Sequence, residues 1–245
     1  RFKKPSFKVE LPKGQEIEFG DHLDGPVDEF NMFLTPDPAT DIGWEIVEEV
    51  GLQAIEVFPW RVYKNGEFWG SGSYLTATDG RYRDAAGYDD AAVYKAALRM
   101  NAQRSPDRIE NQWEKKEGSD DFTDMWELTN IVDAPPSPGQ YDALMETLDV
   151  PAVINYWAWL TLVQQADAGT HNHFVIRDPE ETGRWHVDVW DLSIFDDGKD
   201  RSSWTNGMTL IQTLDQHPEF RAMHQRRLRS MIDQFSAEEI IARYD

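Results

Sequence analysis

The chain contains no cysteine, which excludes disulfides, thiolate metal sites and cysteine nucleophiles and leaves the compartment open. Positive charge is scarce: 24 Lys and Arg stand against 45 Asp and Glu, a formal net charge of −21. That balance argues against a nucleic-acid partner, which requires a dominant basic face. Long apolar runs are scarce too. The stretch from Val150 to Val163 is interrupted by Asn155 and is too short to span a bilayer. No low-complexity tract or internal repeat is present, and an aromatic content of 12% with ten Trp excludes a disordered chain. The sequence opens on Arg1 with no visible signal peptide, so it reads as a mature or trimmed segment.

What remains is 245 residues, enough for one large domain or two lobes sharing a core. Ser6 to Leu11 alternates apolar Phe7, Val9 and Leu11 with polar neighbours, the pattern of a half-buried strand. Asp41 to Val50 carries Ile42, Ile46, Val47 and Val50 on one helix face, with Gly51 as a stop. Ala54–Tyr63 and Glu67–Leu75 flank Asn65-Gly66, a strong hairpin signal. The remainder reads as mostly helical with one inserted hairpin. Tyr141, Leu144, Met145 and Leu148 mark an amphipathic helix. Pro151 then opens a helix (PAVINYWAWLTLVQQA) that is apolar nearly all round and belongs at the centre of a lobe. Strands His173–Arg177 and Arg184–Trp190 flank a turn-rich segment, and the tail from Phe220 is helical, with Leu228, Met231, Ile232 and Phe235 on one face. A β-rich part followed by a helical part is an α+β arrangement, with the seam near residues 78–90.

The informative stretch runs from the end of the apolar helix to the end of the second hairpin. Phosphoryl transfer from ATP needs a carboxylate to orient the attacking hydroxyl, and an amide oxygen and a second carboxylate to hold Mg²⁺ on the phosphates. Asp167-x-x-x-x-Asn172 has the spacing that protein kinases use for the first two, and Asp191 closes the hairpin that follows. By spacing alone, Asp167 equally suits a helix terminus, Asn172 an ordinary loop and Asp191 an acidic surface.

The residues Asn155-Tyr156-Trp157, Asp167, His171-Asn172-His173-Phe174, Gly183-Arg184-Trp185 and Trp190-Asp191-Leu192 together resemble the CotH family, spore-coat-type atypical protein kinases. Lys3-Lys4-Pro5-Ser6-Phe7-Lys8-Val9 is similar to that family's basic opening strand, and Arg61 to Gly70 to its Asn-Gly hairpin. Val93-Tyr94-Lys95-Ala96 and Trp113-Glu114-Lys115-Lys116 match two further segments in the same order. The resemblance spans essentially the whole chain. It implies one kinase-like domain over residues 1–245, an α+β two-lobed fold with a β-rich N-lobe to about residue 80 and a mainly helical C-lobe carrying the catalytic-loop hairpin. It further implies ATP and Mg²⁺ as cofactors, a Ser- or Thr-bearing partner protein, and a spore-coat, cell-surface or secreted setting. Carried over, Asp167 is the catalytic base, Asn172 and Asp191 are metal ligands, and a lysine of the opening strand, Lys4 or else Lys8, pairs with the ATP phosphates.

The chain departs from the family at three places. Ser193 stands where a second acid usually follows the Trp-Asp-Leu run, Thr76 or Ala77 where a Glu commonly stands, and Ala39 nearest a common Arg. Asp188, Asp196 or Asp197 are candidate replacements for the lost acid, and Glu45 or Glu48 for the lost Glu. These departures keep a non-catalytic binding or adhesion module as the alternative, with Trp60, Trp69 and Trp204 as candidate contacts in turns or edges and Trp157 and Trp159 as core. A third reading takes His171, His173 and His186 with Asp188 as a metal site. The Arg226, Arg227 and Arg229 cluster reads as a solvated helix face or as partners of nearby acids.

The charge is unevenly distributed. Residues 1–13 hold five basic residues and one acid, so the other 232 carry 19 basic against 44 acidic. Such a body favours solubility and a basic protein substrate, and a nucleotide site within it requires a divalent metal.

Overall fold

The computed structural model of the chain describes residues 6–23, 25–34, 38–78, 82–83, 86–88, 91–96, 100, 105–118, 121–164, 171–177, 182–192 and 208–243. The first sheet contains β1 (Phe7–Glu10), β2 (Glu29–Phe33), β3 (Val57–Lys64) and β4 (Glu67–Thr76), antiparallel throughout and ordered β1-β2-β4-β3. Asn65 and Gly66 both have positive φ, as a tight two-residue hairpin requires. Gly72 serves a different need. A Cβ there would lie 1.6 Å from the Phe33 carbonyl oxygen, so only glycine lets β2 approach. One face of this sheet is an aromatic cluster in which Phe19, Phe30, Phe58, Trp60 and Tyr74 meet with ring centroids 4.5–6.1 Å apart.

The second sheet contains β5 (Ala92–Ala96), β6 (Trp113–Glu117), β7 (His173–Arg177) and β8 (Trp185–Val189), again antiparallel, ordered β6-β5-β7-β8. Reading this region as helical with a lone hairpin overlooks β5 and β6. Five-residue β5 is too short to show a period, and β6 is the charged edge strand Trp-Glu-Lys-Lys-Glu, which resists edge pairing by its charge. Both faces of the sheet are covered. Tyr94, Val175, Val187 and Val189 join the main core, whereas Val93, Phe174 and Ile176 pack with Tyr88 and Ala91 in a separate cluster on the other side. This double coverage is why β7 runs Phe-Val-Ile without alternation.

The helices are α1 (Pro38–Glu49), α2 (Thr123–Val132), α3 (Pro138–Thr147), α4 (Val150–Val163), α5 (Thr209–Asp215), α6 (Pro218–Gln234) and α7 (Ala237–Ala242). α1 starts three residues before the apolar pattern does, at Pro38, whose preset φ suits a first helical turn. α4 has ten of its 14 residues buried, which accounts for its lack of a polar face. It packs against β8 on one side and α6 on the other. Asp149 caps it by accepting from the Ala152 amide at 3.1 Å, and its other end stops at Gln164 in the left-handed conformation, two residues short of the apolar reading. Among the described residues, no helix is long and apolar enough to cross a membrane.

The one polar residue of the buried stretch, Asn155, has a structural reason. Its amide donates to the Val50 carbonyl at 2.8 Å, while Arg227 from α6 donates to the Asn155 oxygen at 2.7 Å and to Val50 at 3.0 Å. Arg227 therefore clamps α1, α4 and α6 together instead of facing solvent or an acid, whereas Arg226 and Arg229 are exposed. On α6, Met231 and Phe235 are buried as their spacing predicts, but Ile232 is 53% exposed because it falls beyond the buried stripe.

His224 of α6 stacks on Trp157 with centroids 3.9 Å apart and lies 3.1 Å from the Thr161 hydroxyl. Burial lowers its pKa to about 4, well below the ordinary value near 6.5. Between those values the unfolded chain binds a proton that the native state refuses, so stability falls as pH drops through that window. His224→Gln should therefore narrow the gap between thermal denaturation midpoints measured at about pH 7 and about pH 4.5.

Candidate active site

The β7–β8 hairpin sets the geometry of the site. His173 pairs with Val189 as the last register position, and beyond it the Trp190 amide donates to the Asn172 carbonyl at 3.2 Å. Asn172 and Asp191 are thereby brought to the same open end of the hairpin. Both adopt the left-handed backbone conformation, with φ of 64° and 51°, which Asn and Asp tolerate better than most side chains. Asn172 is buried and Asp191 exposed, so the pair spans the boundary between the sheet and solvent. Asp167 lies outside the described residues, between the end of α4 and Asn172, and Ser193, Asp196 and Asp197 also lie outside them.

The two ends of this segment are anchored separately. α4 begins beside β8, where the Asp149 amide donates to the Trp185 carbonyl at 2.8 Å and Leu148 bridges Trp185. α4 then runs along β8 and releases the chain at Gln164, eight positions before Asn172. A rigid helix and a rigid hairpin thus bracket the segment that carries Asp167.

The sheet register separates the histidines. His173 lies on the core side, its ring edge against Trp113 at 5.7 Å and its Nδ1 3.0 Å from the His171 carbonyl. His186, opposite Ile176, is on the other face, and His171 precedes the strand and is exposed. The three therefore do not converge, and no group of three or more metal-binding His, Asp or Glu occurs among the described residues. Asn172 and Asp191 offer oxygen donors only. One carboxylate and one amide oxygen suit a Mg²⁺ that keeps water or phosphate oxygens for its other positions.

Asp188, a candidate replacement acid, is committed elsewhere. It is 3% exposed and accepts a hydrogen bond from the Tyr88 hydroxyl at 2.6 Å, with His186 Nε2 3.1 Å from the same hydroxyl. Burial pushes its pKa up, while His186 and the Tyr88 hydrogen bond pull it back. Glu45 and Glu48 are exposed on α1, Glu45 lying 3.4 Å from Arg243. Thr76 is tied to the Glu56 carbonyl through its amide at 3.0 Å, and Ala77 is buried.

Of the lysines proposed for phosphate contact, Lys4 lies outside the described residues. Lys8 sits on β1, exposed, between Glu29 at 2.8 Å and Glu10 at 2.9 Å, and these carboxylates raise its pKa. Lys95 was not singled out by sequence reasoning. It projects from β5 opposite Phe174, and its ammonium lies 4.2 Å from the Trp190 ring centroid. Its signal in the sequence was only a charged residue inside the apolar Ala-Val-Tyr-Lys-Ala run. Trp60 and Trp69 lie within β3 and β4, Trp60 inside the aromatic cluster and Trp69 beside Phe7 and Lys64, and Trp204 falls outside the described residues.

Removing the Tyr88 hydroxyl leaves a buried carboxylate without its shortest partner. Tyr88→Phe should lower unfolding free energy by about 1–3 kcal/mol in urea denaturation, and Tyr88→Phe combined with Asp188→Leu should recover part of that loss.

No curated protein matches this chain closely enough to count as a relative. The family model described as CotH kinase protein matches residues 1–245, the full length of the sequence. The helix, hairpin and Asn172–Asp191 juxtaposition are thus those of a chain that belongs to the CotH kinase protein family.

Proposed function

We propose that the protein is an ATP- and Mg²⁺-dependent kinase that phosphorylates Ser or Thr on a partner protein. The observation that carries this reading is the convergence of Asn172 and Asp191 at one end of the β7–β8 hairpin, five and 24 residues after Asp167 in the chain. Asn172 and Asp191 would hold the metal by their side-chain oxygens. When bound, Mg²⁺ supplies neutralisation of the charge that develops on the transferring phosphoryl group. Asp167 accepts a hydrogen bond from the attacking hydroxyl, aligns it, and takes its proton as the new bond to phosphorus forms and the nucleoside diphosphate leaves. The acidic excess over residues 14–245 favours a basic partner protein and disfavours nucleic acid. A spore-coat, cell-surface or secreted setting rests on the family alone.

A second reading, a non-catalytic surface-binding member of the family, is favoured by Ser193 in place of the usual second acid and by exposed Tyr63 and Phe68 near the β3–β4 turn. The two readings separate in one series. Saturating ATP with Mg²⁺ should raise the thermal midpoint by about 5–10 °C, and neither ATP with chelator nor Asp191→Ala protein should show that shift. Label from γ-labelled ATP should pass to the chain itself or to a Ser-rich basic peptide. Asp167→Ala should reduce that transfer by about 10²–10⁴-fold while retaining the thermal shift. A thermal shift with no transfer by the unaltered protein would favour the non-catalytic reading.

A further inference from the structure

α6 reverses the acidic character of the chain. Its residues 221–232 hold four arginines and no acid, in a chain of net charge −21. Arg221 is bound to Asp215, while Arg226 and Arg229 are exposed and neighbour each other on the helix surface. Arg227 donates through Nε and Nη2 to the neutral oxygens of Asn155 and Val50, contacts that fix its guanidinium without cancelling the charge. Beside Arg227 lies a groove of about 700 Å³, bounded by Gly51 after α1, the last turn of α3, the first turns of α4, and α6. Its apolar wall is Met145, Pro151, Ile154 and Met223. Asp149 also lines it, with its carboxylate engaged in capping α4 at the Ala152 amide. Farther along α6, Leu228 and Ile232 line a hollow with Arg226 and Arg229, bordered by Asp233, and Ile232 is 53% exposed.

The chemistry of this face selects its occupant. Covering the methionines, Ile154 and Ile232 removes apolar surface from water, and the unbranched methionines adapt to the shape placed against them. Whatever covers them also meets three guanidiniums, which pair best with carboxylates through paired N–H donors. Met223 to Ile232 spans about 14 Å of helix, more than one small carboxylate can bridge. A second copy of this chain would bring its own charge of −21, and two such bodies repel, whereas a short acidic segment carries only a few charges. A bilayer surface does not enter a groove between helix ends, and the acidic surroundings oppose anionic headgroups. The groove lies at the first turns of α4, beside the Trp185 end of β8, whereas Asn172 and Asp191 lie at the other end of that hairpin. α4 is about 21 Å long, so an occupant here leaves the candidate active site open.

We propose that the groove between α4 and α6 is a docking site for an acidic segment of a partner protein, one in which Asp or Glu alternates with Leu, Ile or Met. Its apolar side chains enter between Met145, Ile154 and Met223, and its carboxylates meet Arg226, Arg227 and Arg229. The inference goes beyond phosphoryl transfer and does not depend on it. The acidic body favours a basic partner surface elsewhere, and this face adds a contact of opposite sign.

The test is a selection from a random peptide library displayed on phage against the full chain, followed by fluorescence anisotropy with the leading peptide. Enriched sequences should mix Asp or Glu with apolar residues. The combined Arg226→Glu and Arg229→Glu protein should bind the leading peptide about tenfold or more weakly, and a peptide with Lys in place of its acids should recover binding to that variant. Both arginines are exposed, so the variant's thermal midpoint should stay close to that of the unaltered chain. Raising the salt concentration should weaken binding, and the peptide should slow hydrogen exchange in α6 and the first turn of α4. Enrichment of neutral or basic peptides, or equal affinity in the charge-reversed variant, overturns the proposal. So does a selection that yields no binder. Self-association of the chain that the variant abolishes assigns the face to a second copy, and variant-sensitive binding to phosphatidylserine vesicles assigns it to a membrane. Either result also overturns the peptide assignment.

Discussion

The fold depends on burying α4. A helix whose residues are apolar on nearly every side cannot stand at a surface, so the rest of the chain must surround it. β8 covers one side and α6 another, and the Asn155–Arg227 clamp to Val50 draws in α1. Because α4 starts against the Trp185 end of β8 and is held along that strand, its far end is directed toward the Asn172–Asp191 end of the hairpin. Packing of one helix therefore decides where the segment leading to β7 begins. The candidate site inherits its position from the core.

The proposed nucleotide site stands in a strongly acidic protein. The long-range field of a chain at −21 opposes anion binding. Near the hairpin end, however, the local terms differ. Asp191 is exposed there, Lys95 holds its charge in partly desolvated surroundings over Trp190, and close interactions between charges are screened less than those at a distance. Asp188 takes no part in this balance at the surface, since Tyr88 and His186 enclose it within the second cluster.

Much of the arrangement is legible in the sequence. The β3–β4 hairpin followed from Asn-Gly between β-rich runs, β7 matched its expected bounds, and α4 was evident from an unbroken apolar composition. These signals are local, produced by turn chemistry or by burial on all sides. β5 and β6 were overlooked because their pairing partners, β7 and each other, lie far away in the sequence, and a five-residue strand carries too little periodicity to declare itself. The histidine-rich metal reading failed for a related reason. Proximity in sequence put His173 and His186 in one hairpin, but strand alternation sent them to opposite faces.

Composition and spacing alone determined that this is an α+β chain with a buried helix, and that Asp167, Asn172 and Asp191 follow one another in kinase-like order. The tertiary structure decided which of these residues meet. Hairpin register brought Asn172 and Asp191 to one end of the hairpin, because antiparallel pairing fixes which ends coincide. Sheet order brought Lys95 from 77 positions upstream of Asn172 to the same neighbourhood, a contact no local pattern encodes. Burial then assigned opposite roles to two acids three residues apart, enclosing Asp188 and leaving Asp191 to the solvent-facing end.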